Sequence, residues 1–391
     1  MGMESIVQKA RENNAKLGRY ELPSSTHGDL GEAKIVVVGC GGAGNNTVNR
    51  LANIGVTGAQ LIAINTDKLH LSVTKADKKV LIGYELTKGL GAGGYPDIGE
   101  QSAVEAKPAL KELIEGADLV FLTAGLGGGT GTGSAPVVAE VARDCGAVVV
   151  GAVTMPFKIE RARIQKARDA LTKLRKNTDS VVVIDNNKLL EHVPDLPMNE
   201  AFGVADEVLA RMVKGITETI SMPSLINLDF ADVRAVMREG SGKGIAMIGL
   251  GESDSRNRAE EAVTHALDNP LLEVDYRGAI GALVHITGGP DLTLAESNRI
   301  GEIATGYLAK DANVIWGARI DPEFTGKVQV MVIMTGVHSP DILGPEDIQI
   351  PTRHQMSKGA MRPSSPQRLQ PRQVKQQTDG IMSNLGIDYI V

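Results

Sequence analysis

The residues of this chain best placed for chemistry are glycines. Three stretches carry them: "GCGGAGNN" at Gly39–Asn46, "GLGAGGYP" at Gly89–Pro96 and "GLGGGTGTGSAP" at Gly125–Pro136. The first fits G-x-G-x-x-G through Gly39, Gly41 and Gly44, and Asp67 follows about twenty residues later, the layout of a dinucleotide-binding turn. The third holds six glycines between positions 125 and 133. A glycine inside a helix costs about 1 kcal/mol relative to Ala, so this stretch is expected to be a loop. Ser134 is then the expected cap of the next helix, with Pro136 in its first turn. Missing Cβ atoms let several backbone N–H groups point at one cluster of anionic oxygens, and a helix N-terminus adds roughly half a positive charge. Thr130, Thr132 and Ser134 add hydroxyl donors. A pyrophosphate needs one such turn, whereas a triphosphate can use several. No G-x-x-x-x-G-K-[ST] occurs, which excludes a P-loop.

These turns need strands and helices to aim them. "KIVVVGC" is a continuous apolar run, as a strand covered on both faces would be. "AQLIAINT", "KKVLIG", "ADLVFLTAG", "AVVVGAVTMP" and "SVVVIDN" read as further strands. Helical patterns lie between them, one from Asn46 to about Asn53, another broken at Pro108, and one with Ile164, Ala167, Leu171 and Leu174 on a single face. Strands alternating with helices predict an α/β fold with a mostly parallel, doubly wound sheet. A long helix is expected from Asn199 to Ser221, ended by Pro223. A smaller α/β domain with a four-stranded sheet follows. The expected organisation is a polar extension (1–33), a nucleotide-binding domain (34–198), the central helix (199–222), the second domain (223–338), a basic linker (339–380) and a terminal peptide (381–391). Glu4–Leu17 reads as a short helix.

Composition narrows the class. Net charge is −6, against a general nucleic-acid binder. Cys40 and Cys145 are too few for a disulfide framework or a zinc site and read as small buried hydrophobes, so no protein-built metal site is expected. No apolar run reaches the roughly 18 residues of a membrane span, and the N-terminus lacks a signal-peptide core. A cytoplasmic protein is the expectation. Residues 352–378 carry Arg353, Lys358, Arg362, Arg368, Arg372 and Lys375 with no acid. Such a segment buries too little to offset its ordering entropy. Apolar residues return at Ile381, Met382, Leu385, Ile387, Tyr389, Ile390 and Val391. A sticky end on a spacer reads as a docking peptide, with packing back onto the domain as the alternative.

"GGGTGTGSAP" resembles the signature loop of the tubulin and FtsZ superfamily. "GCGGAGNN", "NTD", "KGLGAGG" and "NLDFADVRAVM" fall in that family's order, and the likeness, in an archaeal FtsZ style, covers about residues 33–338. The resemblance implies a GTP-dependent filament former of the division ring, placed at mid-cell. It implies that Gly42, Ala43, Gly44, Asn45 and Asn46 hold the nucleotide. Gly91, Ala92 and Gly93 would sense the γ-phosphate, and Gly129, Thr130 and Gly131 cradle the phosphates. Glu160 would contact the ribose, while Asn186, Phe202 and Asp206 surround the guanine. A carboxylate at Asp206 can accept from both N1 and N2 of guanine, a pair that adenine lacks. Ile164 stands where relatives often carry Arg, with Arg163 one position earlier as its substitute. Asp185 stands where bacterial relatives often have Pro. Asp67 is a candidate for Mg²⁺ or the ribose, with the Mg²⁺ carried by GTP or GDP.

The glycine turns offer no obvious carboxylate to orient water. The candidates are Asn227, Asp229 and Asp232 of "NLDFADV". A helix of about 23 residues spans about 35 Å. With the nucleotide near Asp206, this loop lies at the far end of that helix and cannot reach it. In the family, the loop enters the next subunit's site, so hydrolysis follows head-to-tail assembly. The family also implies a membrane-adaptor partner for the terminal peptide. Two rival readings are a cell-shape filament of the same family and a Rossmann NAD oxidoreductase. No histidine sits in a proton-relay motif to favour the latter.

Overall fold

The computed structural model describes residues 33–222, 224–226, 228–239, 245–268, 274–337, 386–387 and 389–390. The Glu4–Leu17 helix, the basic linker, most of the terminal peptide, Pro223 and Asn227 lie outside the described residues. Six strands build the first sheet: β1 (Ile35–Cys40), β2 (Ala59–Asn65), β3 (Lys78–Leu81), β4 (Leu119–Gly125), β5 (Val148–Met155) and β6 (Ser180–Asp185). They run parallel in the order β3-β2-β1-β4-β5-β6. The order reverses direction at β1, so a crevice opens beyond the carboxyl ends of β1 and β4. Every residue of β1 is buried, which explains its unbroken apolar sequence. Cys40 is fully buried, and burial pushes its thiol up to about 12, so it behaves as a small hydrophobe. Cys145 is only partly covered.

The second sheet holds β7 (Ile245–Ser253), β8 (Gly281–Gly288), β9 (Asn313–Ile320) and β10 (Val328–Val337), ordered β7-β10-β8-β9. Only β8 and β9 pair in parallel there. The long helix Met198–Ser221 and the helix Phe230–Glu239 lie between the sheets. Ser180 donates its hydroxyl to the Met237 carbonyl and Thr335 donates to that of Val236, both at 3.1 Å. One hydrophobic core runs through both sheets.

Two helix starts differ from expectation. The first helix begins at Gly41 rather than Asn46, and the third glycine stretch turns helical at Thr130. The glycine penalty belongs to helix interiors. At a first turn the N–H groups have no intrahelical partner, and close backbone approach outweighs it. Ser134 therefore does not cap; its hydroxyl donates to the Thr130 carbonyl at 2.7 Å, and Pro136 lies inside the helix. Pro108 does begin a new helix, Lys107–Ile114. A further strand, β11 (Tyr389–Ile390), adds to the free edge of β3 in parallel.

Gly44 seats the first helix on the sheet. A Cβ there would run into the carbonyl of Thr123 on β4, whereas one at Gly42 would meet nothing within 4 Å. Gly44→Ala is therefore expected to lower stability by about 1–3 kcal/mol, read as a lower denaturation midpoint. Gly42→Ala should leave that midpoint in place.

Candidate functional site

The first and third glycine turns follow the neighbouring strands β1 and β4, the second follows a short helix, Tyr84–Thr87, after β3, and the three interlock. A Cβ at Gly41, whose φ is +71°, would lie 2.6 Å from the Gly131 nitrogen. One at Gly131 would lie 2.9 Å from the Cys40 carbonyl and 3.0 Å from that of Gly125. One at Gly129 would lie 2.8 Å from Ala92 and 3.1 Å from the Gly94 nitrogen. The third turn thus touches both others, backbone against backbone. Hydroxyls complete the join. Thr130 and Thr66 share a hydrogen bond at 2.6 Å, and the Gly127 N–H donates to the Thr132 hydroxyl at 2.9 Å.

The surfaces left open are those a ligand would need. Added Cβ atoms at Gly42 and Gly128 meet nothing within 4 Å. Gly42, Ala43, Asn46 and Gly93 are exposed, while Ala92 and Thr130 are buried in the join. Asp67 does not stand apart from the turns. It pairs with Leu90 as an isolated bridge, and its carboxylate accepts from the His70 N–H at 3.1 Å as a helix cap. The Gly91 N–H donates to the Thr66 carbonyl at 3.1 Å. Lys166, from the Ala162–Arg175 helix, reaches the Gly94 carbonyl at 2.8 Å and brings a positive charge beside the second turn.

Asn45 has a different place from its neighbours. Its side chain is fully buried, and the hydrogen-bond network turns its amide nitrogen toward Gly39 (2.8 Å), Gly41 and Ile64, with its oxygen accepting from Asn65. It pins the ends of β1 and β2 together, so its side chain serves the framework of the turn.

A second cluster lies beyond β5 and β6. Phe157 and Phe202 meet edge to face at 5.7 Å, an arrangement contributing about 0.5–1.5 kcal/mol beyond burial. Phe202 keeps 39% of its surface exposed, enough for a flat ring to stack on it. Asn186 is buried, and its side-chain oxygen has no partner. Such an orphaned acceptor is costly and suits a ligand N–H. The Thr47 hydroxyl donates to Asp206 at 3.1 Å, joining this cluster to the first turn. Burial raises the Asp206 carboxyl to about 6, opposed by Thr47 and Arg50. Glu160 accepts from the Phe157 N–H at 2.9 Å and from Arg163 at 2.6 Å. Arg163 therefore acts as a partner of Glu160, and Ile164 is half-buried behind them.

Asp229 and Asp232 are not with this cluster. They sit beyond Ser221, fifteen residues along the long helix from Asp206, which is roughly 20 Å. They cap the Phe230 helix reciprocally: the Asp232 N–H donates to Asp229 at 2.9 Å and the Asp229 N–H to Asp232 at 3.3 Å. Asp229 is exposed. Just before them, Ile226 pairs with Ala318 of β9, which fixes the loop to the second sheet.

Sequence reasoning passed over Thr47, Thr66, Phe157 and Lys166. One signal was available for Phe157: the chain has only five Phe, and this one lies three residues before Glu160.

The comparisons with known proteins identify the family and the fold. A family model described as "Tubulin/FtsZ family, GTPase domain" matches residues 34–194, and one described as "FtsZ family, C-terminal domain" matches residues 244–338. Cell division protein FtsZ 2 of Methanocaldococcus jannaschii is 58% identical over 379 residues, covering 96% of this chain and 94% of that protein. Cell division protein FtsZ 1 of Pyrococcus furiosus is 51% identical over 358 residues, covering 90% and 95%. An empty FtsZ dimer from M. jannaschii superposes with a TM-score of 0.72 at 50% identity, covering 84% of this chain and 92% of that one. The GTPγS-bound protofilament of CetZ2 from Haloferax volcanii shares the fold, with a TM-score of 0.67 at 24% identity, covering 78% and 93%.

Ionised Asp206 can accept two guanine N–H groups, and the protonated form cannot. GTP affinity measured by calorimetry is therefore expected to rise with pH through about 6 and to fall toward tenfold per unit below it. Asp206→Asn should flatten that profile. It should also favour XTP over GTP, because xanthine offers a carbonyl where guanine offers an amine.

Proposed function

The chain belongs to the Tubulin/FtsZ family, and on that premise we propose how this cell-division GTPase binds and turns over its nucleotide. GTP or GDP lies across the carboxyl ends of β1, β4, β5 and β6. Its phosphates rest against the turns Gly42–Asn46, Gly91–Gly93 and Gly129–Gly131, with donors from the N–H groups that the two helix starts leave unpaired. Its ribose lies by Glu160, with Arg163 orienting that carboxylate. Its base stacks by Phe202 and is read by Asn186 and Asp206. Among the described residues no group of three or more His, Cys, Asp or Glu side chains could hold a metal. Backbone amides and hydroxyls fit an Mg²⁺ that arrives on the phosphates, with Asp67 as the nearby carboxylate. When bound, that ion would neutralise phosphate charge.

Hydrolysis is completed by a second subunit. The reading rests on the long helix: fifteen residues, roughly 20 Å of it, separate Asp206 from Ser221, and Asp229 and Asp232 lie beyond that end. A monomer therefore cannot bring both to one nucleotide. A head-to-tail neighbour can, and a heterologous contact of this kind builds an open filament. Asp229 and Asp232, with Asn227, would orient the attacking water at the γ-phosphate, where positioning is most of catalysis. The capping bonds leave carboxylate oxygens free to accept from water, so the structural and catalytic roles are compatible. The same reading makes the protein a cytoplasmic component of the mid-cell ring, with its terminal peptide serving a membrane adaptor. Among the described residues no helix is long and apolar enough to cross a membrane.

Specific GTPase activity is expected to rise with protein concentration above a threshold; a flat profile would overturn the proposal. Asp229→Ala and Asp232→Ala should each bind GTP, assemble, and turn over roughly 10²-fold or more slowly. Mixing Asp229→Ala with Asp206→Ala should recover activity that neither has alone, since one supplies the nucleotide and the other the acids. No recovery in the mixture would rule out completion in trans.

A further inference from the structure

The outer edge of β3 is covered by the far end of the same chain. Tyr389 lies opposite Val80 and Ile390 opposite Leu81, in parallel. Ile387 is only 4% exposed and packs with Ala63, Leu71 and Leu81 in a small cluster separate from the main core, flanked by Ala76 and Tyr84. Residues 338–385 lie between β10 and this strand. At about 3.3–3.6 Å per residue their reach exceeds 100 Å, so the connection does not force the strand into this position. The contact has to be favoured by its own interactions: one buried isoleucine and a two-residue ladder.

We propose that the β3 edge is a docking site whose occupant is this chain's own segment 386–390, and that docking withholds the terminal peptide from other partners. Strand addition to a sheet edge supplies main-chain hydrogen bonds, and alternate side chains supply selectivity. Here the selective pocket is the gap over Leu71 and Leu81 that Ile387 fills. The contact is small, so it is reversible, while the tether keeps the segment at high effective concentration. A larger partner surface that reads the same residues has to displace it. The docking also protects the fold, since an uncovered edge strand invites pairing with other chains. Leu71 belongs to the helix Lys68–Val73, whose cap Asp67 pairs with Leu90 of the second glycine turn.

The test uses the full chain. Ile387→Asp places a charge in the apolar gap and should undock the segment. Hydrogen exchange over residues 78–82 is then expected to speed up about tenfold or more, with residues 119–125 of β4 unchanged as a control for the fold. A labelled synthetic peptide of residues 381–391 should bind the Ile387→Asp protein saturably and restore slow exchange at 78–82. It should bind the unaltered protein at least about tenfold more weakly, because the site is filled. Should Ile387→Asp disturb β4, the paired change Tyr389→Pro with Ile390→Pro replaces it. Of two successive strand residues one points its N–H at the neighbour, so the pair removes whichever bond is made. Unchanged exchange at 78–82 in the variant, or equal peptide affinity for both proteins, would overturn the proposal.

Discussion

Backbone meets backbone where the three glycine turns join, and the rest of the site depends on that approach. β1 and β4 are neighbours in register, with Cys40 opposite Ala124, so the turns that follow them leave the sheet side by side. Any side chain at Gly41, Gly129 or Gly131 would push them apart by contact with main-chain atoms that cannot swing away. Their closeness concentrates N–H groups without placing a lysine among them. The binding power for phosphate is thus spread over peptide dipoles and two helix starts, and is fixed before any ligand arrives.

A second constraint divides the chemistry in space. The long helix holds Asp206 in its first half and hands the chain to the acid-bearing loop at its far end. The bridge between Ile226 and Ala318 then makes the second sheet the platform for those acids. Leu228 is buried against Gly317, whose missing side chain leaves it room. On the proposed mechanism, each subunit carries a binding half and a hydrolytic half that face different neighbours.

The parallel sheet was legible because strands covered on both faces must be apolar throughout, as β1 and β4 are. The glycine turns were legible as residue types whose chemistry admits few uses, whereas Asp206 was reached only through the family resemblance. Helix starts at Gly41 and Thr130 were not, because intrinsic propensity does not register the gain from close packing. The inward amide of Asn45 was not, because a letter gives a side chain's identity and not its direction. The Thr47–Asp206 bond joins residues 159 apart, and nothing local announces it. β11 is too short to show alternation, so the terminal residues read as a docking peptide, with packing back onto the domain only as the alternative.

The long helix is a spacer with a phase. Each residue advances it by 1.5 Å and turns it by 100°. One inserted residue between Asp206 and Ser221 would barely lengthen the subunit, yet would swing the acids a quarter-turn away from the neighbour they face. Seven residues, close to two full turns, would restore their heading at a longer repeat. On the proposed mechanism, the pitch of a filament and the facing of its acids are therefore written in the same stretch of sequence. That stretch can change its length only in steps of whole turns.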